Sequence, residues 1–420
     1  MRERREIVSL WRSRNTTSQH SDAMTRDMDA PGVLVTLVRR TGSSYRGPGA
    51  RMLVFPDAHA GTISGGCLEG EILRRAAWTA RSGAVVKNYS TYYDEVDEMP
   101  YGLGCGGAVD LLFEPLSSPE TQALMQALDR SLGGERLLAA TLWPAPDTPM
   151  QRVVLHPDGA LVFASGSLDA ESRCHLASAA RQLSAEGHAS AASLLMQRNG
   201  AEQMVFVETL LPPQRIFLFG AGDDSRPLAH LAHLLGWRVV VADGRPDLAR
   251  AERFPGAETV LHLPQTRPRQ ADMLATLRLT REDAAVLLTH SYEQDRALLP
   301  QLLPLGLRYL GLMGARHRSR LLLQESALEL GWTPEQCLER VHAPVGLDLG
   351  GDQPEEIALA IVAELQSVLH SRGDITRPRK DLSLLSGQGL PFVPAACPQG
   401  APAADNAPRD PLRKDAGQNG

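Results

Sequence analysis

Two cysteines stand where a sulfur could do chemistry. Cys67 follows Gly65 and Gly66 in the stretch Gly61-Thr-Ile-Ser-Gly-Gly-Cys-Leu-Glu-Gly, and Cys105 sits between Gly104 and Gly106 in Tyr101-Gly-Leu-Gly-Cys-Gly-Gly. Leu68, Ile72 and Leu73 recur at helical spacing, which puts Gly65, Gly66 and Cys67 at or just before a helix start. A thiolate there is stabilised by the helix dipole and by free backbone N–H groups. Glycine neighbours add no side chain that would shield the sulfur from a bulky ligand. Taken alone, Cys67 reads better as a buried cysteine at a tight turn. Taken with Cys105, it points to an exposed site of two thiols, or of one thiol and backbone. The spacing is not CxxC, so no structural zinc is expected. Cys174 and Cys337 lack this setting and read as fillers of core or surface, while Cys397 falls in a tail.

The second chemical stretch runs from Arg215 to Asp243. An apolar run to Phe219 is followed by Gly220-Ala-Gly222-Asp223-Asp224, then by Leu228, Leu231, Ala232 and Leu235 at helical spacing, then by Val239 to Ala242 and Asp243. Strand, glycine turn, helix and strand in that order make a mononucleotide-binding βαβ unit. Gly220 permits the turn, Gly222 leaves room for a phosphate, and the N–H groups opening the helix favour an anion. Asp243 stands where a ribose hydroxyl could be bound. The third glycine of the usual fingerprint is Ser225, however, and Asp223 and Asp224 would repel a pyrophosphate unless a cation or Arg226 intervenes. A nucleotide at this turn and a different phosphate-bearing ligand both remain open.

The elements that must carry these residues follow from pattern. Strand–helix alternation continues through Thr259–Leu261, Ala284–Leu288 and Tyr309–Gly314, implying a doubly wound parallel sheet over 214–370. Its carboxyl rim gathers Gly220–Asp224, Thr289–Tyr292 and Gly314–Arg318. His290 on that rim could act as an acid or base, or could bond neighbouring loop backbone. Arg316, His317 and Arg318 could offset Asp223 and Asp224 and hold a phosphate, or could be a solvated helix start. Residues 30–211 read as an α+β domain, closed by Pro212-Pro213. Residues 1–29 and 371–420 lack a period and read as a disordered extension, with Met24 or Met28 as plausible starts, and a disordered tail.

Composition narrows the function classes. A net charge of −6 gives no electrostatic case for nucleic acid as the main partner. Five cysteines, an odd count in a long chain, argue against a disulfide framework and for a reducing, cytoplasmic setting. No apolar run reaches the roughly 18 residues that a membrane span needs. No Ser-His-Asp spacing, P-loop or HExxH motif appears.

The segments VRRTGSSYRGPGARMLV, GTISGGCLEGEI, YGLGCGG, FGAGDDSRPLA, LTHSYEQDRALL, YLGLMGARHRSRLL and HAPVGLDLGGDQPEEIALAIVAEL resemble the XdhC/CoxI family, in family order from about Gly32 to Leu369. That family consists of accessory proteins of xanthine dehydrogenase and related molybdenum hydroxylases. The resemblance implies a non-catalytic chaperone that binds molybdenum cofactor (molybdopterin) and shields it from oxidation. It implies, further, that the cofactor is held while a cysteine desulfurase supplies the sulfido ligand, and is then delivered to the apo-hydroxylase. Cys67 and Cys105 match the family's two cysteine motifs and become candidates for contacting molybdenum. Gly66, Gly104, Gly106, Gly220, Gly222, Asp223, Asp243, His290 and Arg316 complete the candidate cofactor-binding set. A homodimer would help enclose a labile cargo. The competing expectation is an NAD(P)-dependent oxidoreductase built on Gly220, Gly222 and Asp243.

Overall fold

A computed structural model of the chain describes residues 1–18, 32–90, 107–145, 148–186, 190–198, 201–264 and 267–370. Gly104, Cys105, Gly106 and Cys397 lie outside the described residues. The chain opens with helix α1 (Arg2–Ser18), followed by β1 (Val33–Gly42), β2 (Arg51–Val54), β3 (His59–Gly61), α2 (Glu69–Thr79), β4 (Val85–Ser90) and β5 (Gly107–Pro115). These strands form an antiparallel sheet in the order β3-β2-β1-β5-β4. A second antiparallel sheet, β8-β7-β6-β10-β9, is built from β6 (Leu137–Leu142), β7 (Gln151–Leu155), β8 (Leu161–Ala164), β9 (Ala191–Arg198) and β10 (Ala201–Leu210). Helix α3 (Pro119–Leu132) precedes it, and α4 (Ala170–Glu186) lies between β8 and β9.

Burial explains the sequence of β1. Its first six residues, Val33 to Val38, are all buried. A strand covered on both faces needs a continuous apolar run rather than alternation. One face packs with Ile63, Leu68, Ile72 and Ala76 around α2. The other contributes Leu34 and Val38 to clusters shared with the second sheet. Two buried ion pairs cross between the sheets: Arg51 to Glu208 and Arg152 to Glu114. The remaining face of the second sheet is covered by Leu176, Ala180 and Leu183 of α4. The middle of the chain, expected as a continuation of one α+β domain, therefore contributes a sheet of its own.

Residues 2–18 correct the expectation of a disordered extension. The charged opening RERRE hides Ile7, Val8 and Trp11, which are buried with Leu124 and Leu128 of α3. Trp11 Nε1 donates to Gln122 Oε1 at 3.3 Å, and Arg12 pairs with Asp129. Arg5 donates to Gly236 O at 3.0 Å, so the helix also touches the C-terminal domain.

That domain contains β11 (Arg215–Phe219), α5 (Ser225–Leu234), β12 (Arg238–Asp243), β13 (Thr259–His262), α6 (Arg267–Leu277), β14 (Ala284–Leu287), α7 (Tyr292–Leu302), β15 (Tyr309–Leu312), α8 (Arg316–Leu330), α9 (Pro334–Leu338) and α10 (Pro354–Leu369). The sheet is parallel, in the order β13-β12-β11-β14-β15. Its strand order reverses between β11 and β14, which is where doubly wound sheets open a crevice. Leucines of α7 and α8 cover one face, and α5 and α10 cover the other. Helix α10 starts with Pro354 after a capping box of Gln353 and Glu356.

Candidate functional site

Cys67 lies in the turn immediately before α2, where spacing placed it, and its side chain is exposed. The turn is organised by Glu69. Its carboxylate accepts hydrogen bonds from Ile63 N at 3.1 Å and from Ser64 N at 2.7 Å, and Ser64 Oγ donates to its second oxygen. Burial alone would raise this carboxyl, but the hydrogen bonds from Ser64 and Ile63 outweigh it and hold Glu69 below its ordinary range. Ser64 Oγ in turn faces the N–H groups of Gly66, Cys67 and Leu68 at 3.1–3.3 Å. The backbone donors expected to hold a thiolate are thus taken by a serine hydroxyl. Among the described residues the hydrogen-bond partner of the sulfur is Ser64 Oγ, at 3.1 Å, and the cysteine is exposed.

The loop between β1 and β2 lies against both the Cys67 turn and the start of β5. A Cβ on Gly65 would stand 3.8 Å from the ring of Tyr45, which is 76% exposed. Gly107, two residues after Cys105, pairs with Gly42 across the β1–β5 register, and a Cβ there would come within 2.0 Å of Ser43 O. Only glycine allows that approach. The Cys67 turn and the start of β5 therefore abut the same loop. Tyr45 was missed by sequence reasoning; its signal was a lone aromatic within the donor-rich stretch Gly42-Ser-Ser-Tyr-Arg-Gly47.

The second candidate region has the expected backbone but different side-chain roles. Gly220 has φ +135°, and a Cβ there would lie 2.2 Å from Leu288 O. The turn is pressed against the end of β14. Asp243 is fully buried. Its Oδ2 accepts from Ala221 N at 2.6 Å and from Arg245 at 2.7 Å, and its Oδ1 accepts from Arg245 N at 2.8 Å and Nε at 3.0 Å. Burial would raise this carboxyl, but Arg245 and the Ala221 N–H outweigh it and lower it. Asp243 fastens the glycine turn, its two oxygens bonded to Arg245 and to the Ala221 N–H.

Asp223 and Asp224 have their own side-chain partners. Arg253 donates to Asp223 at 2.9 Å, Arg226 lies 3.6 Å from the same carboxylate, and His290 Nε2 meets Asp224 Oδ2 at 2.8 Å. His290 adopts a left-handed backbone, φ +57°. The cations expected to do this, Arg316 to Arg318, are engaged elsewhere on the rim or face away. Arg318 donates to the buried Asp295 at 2.5 Å, while Arg316 is exposed and lines a cavity of about 580 Å³ between α8, α9 and Ala343-Pro344. Neither Arg245 nor Arg253 was legible as a site residue, because each reaches the turn from a connection following β12. Beside the turn, Ser225 Oγ is buried without a hydrogen-bond partner. Among the described residues no group of three or more His, Cys, Asp or Glu side chains is arranged to hold a metal ion, and no helix is long and apolar enough to cross a membrane.

Taken together, fold and turns define a mixed α/β protein in which a Rossmann-type domain follows an α+β region that displays a cysteine. Residues 216–365 match the XdhC Rossmann domain and residues 26–90 match the XdhC and CoxI family. The chain belongs to the XdhC/CoxI family. It is similar to a probable xanthine dehydrogenase subunit of Bacillus subtilis (strain 168), at 28% identity over 364 residues, covering 82% of this chain and 94% of that protein. It is also similar to the uncharacterized protein YqeB of Escherichia coli (strain K12), at 31% identity over 182 residues, which are 41% of this chain and 32% of that one. A crystal structure described as a xanthine dehydrogenase from Bacillus halodurans superposes with a TM-score of 0.65 at 26% identity, covering 85% of this chain and 96% of that one.

Proposed function

We propose that this protein is an accessory factor that binds molybdenum cofactor as cargo, protects it, supports its sulfuration by a cysteine desulfurase and delivers it to a xanthine dehydrogenase-type hydroxylase. The observation that carries the reading is Cys67: an exposed sulfur at a turn whose backbone is fixed by Glu69 and Ser64, in a chain of the XdhC/CoxI family. A soft thiolate suits a molybdenum centre with sulfur ligands. Cys105 is the proposed second donor, and Tyr45 offers an exposed ring against which a flat pterin stacks. The name of the Bacillus subtilis relative, which makes it a component of a xanthine dehydrogenase, supports a molybdenum hydroxylase as client. The Gly220 turn is left for a phosphate or nucleotide group, with Ser225 Oγ as a buried hydroxyl still lacking a partner.

Anaerobic incubation of the full chain with molybdopterin, followed by measurement of bound molybdenum and oxidised pterin, tests this reading. Loading near one per chain that drops about tenfold or more in Cys67→Ala or Cys105→Ala is the expected result. Unchanged loading in both variants would remove the thiol role, and no loading of the parent protein would remove the cargo reading altogether.

A further inference from the structure

A cavity of about 200 Å³ lies beneath α1, away from the Gly220 turn. Its charged lining comes from Glu3 and Arg4 of α1, Arg46 of the β1–β2 loop and Arg51 of β2. Arg46 is bound to Glu3 and also donates to Thr62 Oγ1 at 2.9 Å; Arg51 is held by Glu208 through two contacts of 2.5 and 2.6 Å. Among the described residues Arg4 has no carboxylate hydrogen-bonded to it, and the acid whose charge acts on it, Glu208, is held by Arg51. Arg4 donates to Ser131 Oγ at 3.1 Å and to Leu211 O at 2.7 Å, both uncharged. Three guanidiniums therefore face two carboxylates. In addition, Arg51 is only 6% exposed, and its Nε is buried without a hydrogen-bond partner.

A half-buried cation without a carboxylate of its own is unfavourable, and a buried donor without an acceptor adds to that cost. Burial first, and then the neighbouring Arg51 charge, push the Arg4 guanidinium down to about 10. Both deficits are of one kind: an anion with several acceptor oxygens is missing. Arginine forks match tetrahedral oxyanions particularly well. The space is below the roughly 300 Å³ of ordinary small-molecule pockets, so it admits a group and not a whole nucleotide.

We infer that the cavity beneath α1, lined by Arg4, Arg46 and Arg51, is a binding site for a tetrahedral oxyanion, either free inorganic phosphate or the phosphate monoester of a larger ligand. Occupation would supply Arg4 with its missing charge partner and tie α1 to β2.

Calorimetric titration of the full chain in low-salt buffer, with inorganic phosphate and separately with methyl phosphate, tests it. Saturable binding of both probes assigns a monoester site, and binding of inorganic phosphate alone assigns a free-anion site. Arg4→Gln should weaken either by about tenfold or more, and Arg4→Lys, which keeps the charge, by about threefold or less. Should Arg4→Gln fail to fold by circular dichroism, the Arg51 Nε–H resonance of the parent protein decides: it must shift on addition of phosphate. No binding of either probe at about 10 mM, an unchanged affinity in folded Arg4→Gln, or an unmoved Arg51 resonance overturns the assignment.

Discussion

The Cys67 turn and the Gly220 turn are built alike and used differently. Each follows a strand, contains glycine at positive φ and opens a helix. In the first, an acid and a hydroxyl, Glu69 and Ser64, satisfy the backbone and leave the sulfur outside. In the second, the acid that resembled a ligand group, Asp243, is itself the fastening. A motif thus specifies which atoms are near a turn. Whether those atoms are free for a ligand is decided by arginines and carboxylates that arrive from elsewhere in the chain.

Substitution at the glycines should widen this contrast most. Gly220→Ala sets a Cβ against Leu288 O at unfavourable φ, and a loss of about 3 kcal/mol or more in unfolding free energy is expected. Gly66→Ala, with φ +113° and nothing within 4 Å, carries only the conformational cost, about 1–2 kcal/mol. Equal losses in urea titrations would show that the two turns are equally crowded and that the comparison is wrong.

A somewhat smaller separation is expected at the acid and the sulfur. Asp243→Asn should cost about 2–3 kcal/mol, because charge-assisted bonds to Arg245 and Ala221 N are lost in a buried place. Cys67→Ala should stay within about 0.5 kcal/mol of the parent, since its side chain is exposed. A Cys67→Ala protein as unstable as Asp243→Asn would mean that the sulfur serves the fold.

The smallest expected effect is on pH dependence. Glu69 is lowered in the folded protein, so its contribution is present above its ordinary value of about 4.3 and fades as pH falls through the lower folded value. The stability difference between the parent and Glu69→Gln should therefore shrink between about pH 6 and about pH 3. A difference that stays constant would show that the Glu69 charge plays no part in holding the turn.

Legibility in the sequence followed the range of the interactions. The parallel sheet could be read because each strand is a short apolar run flanked by glycine or an acid, as in Arg215–Phe219 and Arg238–Asp243. Cys67 before a helix could be read for the same local reason. Helix α1 was not, because its buried residues Ile7, Val8 and Trp11 are outnumbered by arginines and glutamates whose partners lie on α3, in the loop after β2 and at Gly236. Strands β4 and β9 were missed too. The exposed or half-buried residues of Val85–Ser90 carry no apolar period of their own, and their order comes from pairing with β5. Among the partners of Asp223 and Asp224, Arg226 could be read three residues along, whereas Arg253 and His290 are 30 and 66 residues away and could not.

The left-handed backbone at His290 has one further consequence. For a residue with a Cβ this geometry is disfavoured by about 1–2 kcal/mol, and here it accompanies the contact between the imidazole and Asp224 across the mouth of the β11–β14 crevice. One side-chain bond thus joins the residue after β14 to the turn after β11, across the point where the strand order of the sheet reverses.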